Sequence, residues 1–240
     1  MGIRRGEITT KIVSDGLVLN IDPGNRASTI PSTSTTKTFN TIDTSISGSF
    51  VNDTIYDSST ITPSFAFDGT ADYINLGNPS LFQLDNITIC GWFNIDSSAN
   101  SYYNIITKWS TSSDRVFGLY IANSNGKLYW WCSHNGTQPT QTISATNLKD
   151  GNWHFFAAIK DGTNQILYID NLSSVTVSGT SGIYDSSVLA NIGRSESGNG
   201  YDWNGNIGPI QIYNRALSAE EVLRNYNGLR GRFGVWNSDL

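Results

Sequence analysis

The sequence is poor in residues on which several classes of protein depend. Its 240 residues contain two cysteines, one methionine and two histidines, and only 15% of the residues are charged. So few cysteines exclude a disulfide-rich scaffold, and the two histidines do not have the spacing of a metal site. No hydrophobic run approaches membrane-spanning length, and no basic stripe in the middle of the chain offers a surface for phosphates. With a net charge of −5, the sequence argues against nucleic-acid and membrane partners.

The first residues, MGIRRGEI, also lack the apolar stretch of a secretory signal. We therefore expect no conventional secretion. Cys90 and Cys132 both lie among apolar neighbours in predicted strands. They are interpreted as buried free thiols, with a bridge between them as the alternative.

Glycine and aromatic side chains are abundant instead. The chain has 23 glycines and 12% aromatic residues. After residue 63, short hydrophobic runs alternate with turn signals, which predicts one all-β sandwich of many short strands. The runs 116–122 and 127–133 flank Asn-Ser-Asn-Gly, and this pattern is typical of a hairpin. The runs 155–160 and 165–170 flank Asp-Gly-Thr-Asn and predict a second hairpin.

A strand that leads into a capped helix is predicted by residues 205–221, GNIGPIQIYNRALSAEE. Ser218 followed three residues later by Glu221 forms a capping box, and helical spacing then continues to an Asn-Gly stop at 227–228. Pro209 has no N–H to donate to a sheet, so the strand has an edge or a bulge there.

This segment resembles the closing strand of laminin G-like domains in the concanavalin A-like superfamily. Other matches follow in the family's order: DGLVLNID at 15–22, FAFDGTADYINLG at 65–77, ITICGWF at 87–93 and DGNWH at 150–154. The resemblance implies an all-β fold, a concanavalin A-like two-sheet antiparallel jelly-roll sandwich with one short C-terminal helix.

The resemblance covers residues 12–228 and so implies three parts. We expect residues 1–11 to form an N-terminal arm, residues 12–228 the jelly roll, and residues 229–240 a C-terminal tail. Within the jelly roll, residues 24–63 are rich in Ser, Thr, Asn and Asp and are predicted to form a long surface excursion.

Hydrolysis is one activity of this superfamily, and it needs two carboxylates at the scissile bond. The four glutamates are Glu7, Glu196, Glu220 and Glu221, and none opens an E-x-D-x-x-E strand motif. No nucleophile elbow or phosphate-binding loop occurs either. We expect a protein that is not an enzyme, with a glycoside hydrolase as the third alternative.

Carbohydrate binding requires exposed aromatic rings on which sugars stack. Successive strand residues face opposite ways, so at most one tryptophan of Tyr-Trp-Trp at 129–131 points into the core. Trp131 is therefore a candidate ligand contact, with core packing as the alternative. Tyr201 and Trp203, in a glycine-rich stretch, are candidates against simple loop packing. His134 and Asn135 at a strand end are candidates against plain turn residues.

Calcium is the one cofactor that the resemblance implies, since related domains bind it through Asp and Asn oxygens on rim loops. Asp202 and Asn204 lie beside the closing strand and are the candidate metal ligands. Ordinary turn-stabilising roles for both side chains are the alternative.

Basic residues concentrate at the two ends of the chain. Arg4 and Arg5 precede the first predicted strand, and Arg230 and Arg232 follow the helix. They are interpreted as solvated termini or partners of carboxylates, or alternatively as assembly contacts that dock on an acidic protein surface.

The two ends together, IVSDGLVLNIDPGN at 12–25 and YNRALS at 213–218 followed by NYNGLRGRF at 225–233, resemble laminin G-like structural proteins of tailed bacteriophages. This implies a virion component synthesised in the host cytoplasm. Its expected role is capsid decoration or a tail or fibre accessory function.

Under this hypothesis the protein is a homo-oligomer or is present in many copies. Its partners are other capsid or tail proteins, and cell-surface glycans are candidate ligands. Deletion of residues 1–11 or 229–240 is then expected to abolish particle attachment without unfolding the sandwich. A carbohydrate-binding lectin-like module is the alternative function.

Overall fold

The computed structural model describes residues 12–32, 35–57, 62–82, 84–96, 102–137, 139–170, 173–196 and 201–235. The strands are β1 Leu17–Ile21, β2 Lys37–Phe39, β3 Ser47–Val51, β4 Ile55–Asp57, β5 Ser64–Asp68, β6 Tyr73–Gly77, β7 Ile87–Ile95, β8 Tyr103–Trp109, β9 Arg115–Ile121, β10 Leu128–Gly136, β11 Pro139–Ile143, β12 Trp153–Asp161, β13 Asn164–Ile169, β14 Ser173–Ser178, β15 Ala190–Ile192 and β16 Asn204–Tyr213. The α-helix α1 spans Ala219–Leu229, and short 3-10 helices span Ser80–Phe82 and Arg230–Phe233. None of the described helices is both long and apolar enough to cross a membrane.

The strands form two antiparallel sheets that pack face to face. Sheet 1 has the order β14-β13-β12-β7-β16-β5-β4, with β1 also paired to β16. Sheet 2 has the order β11-β10-β9-β8-β15-β6-β3-β2. Inward residues of both sheets, among them Phe93, Phe156, Phe117 and Trp130, form one hydrophobic core. The two-sheet sandwich and both predicted hairpins are confirmed.

Strand β16 lies at the centre of sheet 1 and contains the predicted irregularity at Pro209. Its pairing with β7 shifts register between Ile207 and Ile210, which is a β-bulge. Residues before the bulge pair with β5, and residues after it pair with β1. The interpretation of Pro209 as a bulge residue is confirmed, because a proline cannot donate the missing ladder hydrogen bond.

Residues 24–63 do not form only a surface excursion. They contain β2, β3 and β4, which extend the edges of the two sheets. The Phe50 ring packs edge-on against Phe65 at 5.5 Å. The hydroxyl groups of Thr29 and Thr38 lie 2.9 Å apart and are fully buried. A Ser/Thr-rich segment can enter the fold in this way because its hydroxyls satisfy each other away from water.

The outer face of sheet 1 is covered by the C-terminal part of the chain. Trp92 and Phe155 project from this face and contact Tyr226 of α1. The helix continues past the predicted stop, and Phe233 then stacks on Trp92 at a centroid distance of 4.5 Å. The expectation that residues 229–240 form a tail is therefore wrong for its first part, because an aromatic side chain there completes a second hydrophobic cluster.

Both cysteines are free and buried, as the sequence predicts. Cys90 belongs to the cluster beneath α1, whereas Cys132 belongs to the main core between the sheets. The two thiols therefore lie on opposite sides of sheet 1, and the alternative of a bridge between them is excluded.

Candidate functional site

A groove of about 270 Å³ lies on the outer face of sheet 2. The strands β8 to β11 form its floor, and the segment before β16 forms one wall. Its aromatic content is high, and its polar groups are amides, tyrosine hydroxyls and one guanidinium. The lining residues are Tyr102, Asn104, Trp109, Arg115, Tyr120, Trp131, Pro139, Gln141 and Tyr201.

Trp131 forms the floor of the groove because a glycine lies beneath it. Gly118 is its cross-strand neighbour, and a Cβ atom at Gly118 would lie only 2.6 Å from the indole Cε2. The Trp109 ring meets the indole edge-on at 6.0 Å, and the Arg115 guanidinium lies over the Trp109 ring. The indole is thus fixed against the sheet and only 4% exposed.

Four tyrosines extend the aromatic surface. Tyr120 stacks on Tyr129 with ring centroids 5.0 Å apart, and Tyr102 lies edge-on to both Tyr120 and Tyr201. Burial raises the pKa of Tyr120 to about 12, against a smaller opposing effect from its hydrogen bond with Gln141. The phenol therefore stays protonated at neutral pH and keeps its O–H donor.

Polar groups are fixed around these rings. The Asn104 amide donates to the Tyr201 carbonyl at 2.8 Å, which ties β8 to the segment before β16. Arg115 donates to the Thr137 carbonyl at 3.3 Å. Flat apolar rings bordered by ordered hydrogen-bonding groups suit a ligand with both an apolar face and peripheral hydroxyls.

The profile of a laminin G family, described as "Concanavalin A-like lectin/glucanases superfamily", matches residues 68–223. This is more than half of the 240-residue chain. The chain belongs to this family. No curated protein matches the chain.

Several solved structures resemble this laminin G-like domain in fold. They include the botulinum neurotoxin serotype D binding domain, with a TM-score of 0.66 and 16% identity over 89% of this chain and 52% of that one. The binding domain of botulinum neurotoxin DC in complex with SialylT has a TM-score of 0.65 and 13% identity, over 90% and 52%. The binding domain of Paraclostridial Mosquitocidal Protein 1 has a TM-score of 0.67 and 12% identity, over 88% and 52%. The laminin G-like domain thus spans about half the length of these structures.

The structure brings two of the predicted ligand residues together in the groove. Trp131 forms the floor and Tyr201 a wall, whereas Trp130 points into the core. Trp203 is fully buried, and its ring lies edge-on to Phe93 at 5.6 Å. The interpretation of Trp203 as a ligand contact is therefore wrong, because its ring fills space between the sheets.

His134 and Asn135 are exposed at the end of β10 and do not line the groove. The side-chain Oδ1 of Asn135 accepts the Thr137 N–H at 3.0 Å, which is a turn-stabilising role. Sequence reasoning missed Trp109 and Tyr120. The signal that could have found Tyr120 is its place two residues after Gly118, on the outward face of a predicted strand.

The residues present do not fit the candidate calcium site. The Asp202 carboxylate lies 3.1 Å from Arg194 Nε and accepts the Ala71 N–H at 3.1 Å. A guanidinium already balances the charge of this carboxylate, and Asn204 lies in β16. Among the described residues, no group of three or more His, Cys, Asp or Glu side chains is placed to hold a metal ion.

The basic residues after the helix have partners within the domain. Arg232 binds the Asp22 carboxylate through two hydrogen bonds of 2.9 and 2.8 Å. Arg230 lies over an aromatic ring of α1. Arg4 and Arg5 fall outside the described residues. Arg232 is thus a carboxylate partner, and the assembly role of these arginines stays a prediction.

Proposed function

We propose that this laminin G-like domain is a non-catalytic carbohydrate-binding module, and that the groove on sheet 2 is its binding site. One observation carries the proposal: the partly exposed rings of Tyr102, Trp109, Tyr120 and Tyr201 border a groove whose floor is the nearly buried Trp131 indole. Ring faces of this kind accept the apolar face of a sugar, and nearby amides and hydroxyls pair with its hydroxyl groups.

The character of the lining favours binding over hydrolysis. The described residues that line the groove include no aspartate and no glutamate. Glycosidases commonly place two carboxylates beside the scissile bond, one of them as a general acid. Among the similar structures, a toxin binding domain is in complex with SialylT, which supports a glycan as the class of ligand to test first.

The sequence resemblance to phage structural proteins adds a proposed setting for this module. On a virus particle, the domain would present the groove to cell-surface glycans while other capsid or tail proteins hold it in place. This setting rests on the sequence resemblance alone, since the similar structures named above are toxin binding domains. Detection of the chain in purified particles by mass spectrometry would support it, and absence from them would overturn it.

Substitution of the groove floor tests the binding site. We expect the wild-type chain to bind glycans on a printed array, and Trp131→Ala to weaken that binding at least about tenfold, which corresponds to ~1.4 kcal/mol. The matched control is Trp153→Ala, because Trp153 is a half-buried tryptophan on the opposite sheet, packed against Phe233. This control should bind as the wild type does.

A second variant keeps the tryptophan and moves it. Gly118→Ala places a methyl group where the indole now lies, so it should displace the ring and weaken binding although every lining side chain is retained. Thermal unfolding of each variant separates a lost site from a lost fold. Wild-type-like binding by both Trp131→Ala and Gly118→Ala would overturn the proposed site, and release of reducing sugar from a bound glycan would overturn the non-catalytic role.

A further inference from the structure

The strand β14 forms an edge of sheet 1 that lacks the usual protection against pairing. An edge strand has a row of unpaired N–H and C=O groups, and natural proteins shorten, charge or cover such strands, or place a proline there. β14 has six residues, SSVTVS, with no charged side chain and no proline. Its edge is therefore open to the addition of another strand.

The other edges of the described sheets are protected. The strands β2 and β4 are each three residues long, and β11 begins with Pro139. The strand β1 is covered by a side chain, because the Asn40 amide accepts the Asn20 N–H at 2.9 Å and donates to the Val18 carbonyl at 2.8 Å. Of these edges, β14 alone is both long and uncovered by such a device.

The ladder between β13 and β14 shows which backbone groups point outward. The Gly179 N–H donates to the Thr163 carbonyl at 2.8 Å, just beyond the end of the ladder. Hydrogen-bonded pairs alternate along antiparallel strands, so Val175 and Val177 also direct their backbone groups to β13. The residues whose N–H and C=O groups point away from the sheet are Ser174, Thr176 and Ser178.

The outward groups are accessible. Ser174, Thr176 and Ser178 are exposed, whereas Val175 and Val177 are half-buried. No backbone hydrogen bond joins the three outward residues to any strand or loop within the described part of the chain. A further strand could therefore pair with them without displacing an existing contact.

The sequence of β14 is complementary to itself. Residues 174–178 read Ser-Val-Thr-Val-Ser in either direction. When a second copy of β14 runs antiparallel with Thr176 opposite Thr176, Ser174 lies opposite Ser178. These residues carry the outward backbone groups, so each of the three pairs exchanges two hydrogen bonds. Valine then meets valine on the inner face, hydroxyl meets hydroxyl on the outer face, and no charges oppose each other.

We propose that β14 is an interface between two copies of this chain, joined antiparallel about a two-fold axis at Thr176. The two copies of sheet 1 then form one continuous sheet. A closed two-fold dimer uses the same surface on both copies, as a self-complementary strand requires. A strand pair of this length is a small interface, so we expect a dimer that forms at high protein concentration and dissociates on dilution.

The dimer would also set the direction of the grooves on sheet 2. A two-fold axis between antiparallel strands is perpendicular to their sheet, so sheet 2 of both copies lies on the same side. The two grooves then face the same way, and paired sites increase avidity for a surface that carries many ligands. This consequence rests on the proposed function, whereas the dimer itself does not.

Association of the whole chain tests the interface. We expect sedimentation velocity to show a monomer–dimer equilibrium over a concentration series without any glycan. Thr176→Lys should weaken association at least about tenfold, because two positive charges then meet on the axis. Thr176→Pro should do the same because it removes the central N–H donors, and an edge strand tolerates a proline where the N–H faced solvent.

The matched control is Thr70→Lys. Thr70 is an exposed threonine in the turn after β5, on the far side of sheet 1 from β14. This control should associate as the wild type does. Thermal unfolding of each variant shows whether a lost dimer reflects a lost fold.

Introduced cysteines test the register. Both native thiols are buried, so they should not interfere. Residues opposite each other in a hydrogen-bonded pair have Cα atoms about 5.5 Å apart, which lies within the range of a disulfide. Under mild oxidation, Thr176→Cys should form a disulfide-linked dimer by itself. Ser174→Cys should form one only when it is mixed with Ser178→Cys.

The outcomes are distinct. A monomer at every concentration would overturn the interface, and so would a dimer that persists in both Thr176→Lys and Thr176→Pro. Disulfide formation by Ser174→Cys alone would overturn the register, and growth into larger assemblies would overturn the closed two-fold pairing. Glycan binding is measured separately, so each of these results leaves the proposed function standing, and a failure to bind glycans leaves the dimer standing.

Discussion

The histidine of the Asp-Gly-Asn-Trp-His turn lies between two carboxylates. His154 Nδ1 is 2.7 Å from Asp170 Oδ2, and Nε2 is 2.9 Å from Asp150 Oδ1. A protonated imidazole satisfies both contacts because both of its nitrogens then donate. Burial by itself would lower the pKa of His154, but the hydrogen bonds and charges of the two aspartates outweigh it and raise the pKa above 6.5.

This geometry predicts how stability changes with pH. A raised folded-state pKa means that the His154 contribution is fully present below the unfolded value, near 6.5, and is lost as pH rises through the folded value. We expect wild type to lose stability relative to His154→Gln from about pH 6.5 upward. Thermal unfolding at a series of pH values measures this difference, and a constant difference across the series would contradict the prediction.

The contribution of the Asp150 carboxylate to stability depends on pH in the opposite sense to that of His154. Burial would raise the pKa of Asp150, but hydrogen bonds from Asn152 and His154 outweigh it and lower the pKa below 3.8. The contribution of this carboxylate is therefore present above its unfolded pKa and lost as pH falls through the lowered value. Together the two residues favour the folded state most between about pH 4 and 6.5.

At the scale of elements, the start of α1 joins three parts of the chain. The Ser218 hydroxyl accepts the Glu221 N–H, and the Glu221 carboxylate accepts the Ser218 N–H, which confirms the capping box. The same carboxylate takes two hydrogen bonds from Arg215, and these lower the pKa of Glu221 to about 2. Arg215 also lies 2.9 Å from the Asp15 carboxylate ahead of β1, so the helix is tied to both the first and last strands.

The turn after α1 is expected to be required for stability. Phe233 is 5% exposed and lies against Trp92 and Trp153, with ring centroids 4.5 and 4.6 Å away. A chain that ends after residue 228 should lose roughly 3 kcal/mol or more of its free energy of unfolding, because the cluster over sheet 1 is left open. Phe233→Ala should approach the same loss.

The control is a chain that ends after Val235, which keeps the whole turn. Urea denaturation should give it the midpoint of the full-length chain, while the shorter chain unfolds at lower urea. Equal midpoints for both truncations would show that the C-terminal turn contributes little. The expected loss of stability also affects the attachment test with residues 229–240 deleted. That deletion removes Phe233 and so destabilises the sandwich, in addition to removing any docking segment.

At the scale of the whole molecule, the sandwich and its covering helix separate two thiol environments. Burial raises the pKa of Cys90 to about 12, and it raises that of Cys132 further. We expect neither thiol to react with an aromatic disulfide reagent in the native protein, and both to react in denaturant. Fast reaction of one native thiol would show that its cluster opens, and no reaction in denaturant would indicate a bridge.

Local signals account for the parts of the fold that the sequence predicts well. Turn residues between alternating strands located the β9–β10 hairpin, and the missing N–H of Pro209 located a bulge. The spacing of Ser218 and Glu221 located a helix start. Each of these depends on interactions between residues that are close in sequence, so no knowledge of the sheet order was needed.

The groove could be predicted only in part, because it depends on strands that are distant in sequence. Alternation within β10 indicated that Trp130 and Trp131 face opposite sides of the sheet, and the structure shows that Trp131 is the outward one. The cross-strand partner of Trp131 follows from sheet order, which places Gly118 beneath the indole.

Predictions of exposure from glycine-rich and basic stretches were the least reliable. Their composition suggested that Trp203 was exposed and that the residues after Gly228 formed a tail. In the structure, Trp203 meets Phe93 in the core, and Phe233 stacks on Trp92. Burial of a ring depends on the partners that the fold brings to it, and composition does not contain this information.

The sequence by itself determined the all-β class, the family, the hairpins and the capped helix. These follow from periodicity, turn chemistry and motif order, which act over short stretches of chain. Only the tertiary structure decided which aromatic rings line a groove and which fill the core. It also decided which side chains meet across the strands, because cross-strand register joins residues that the chain itself keeps far apart.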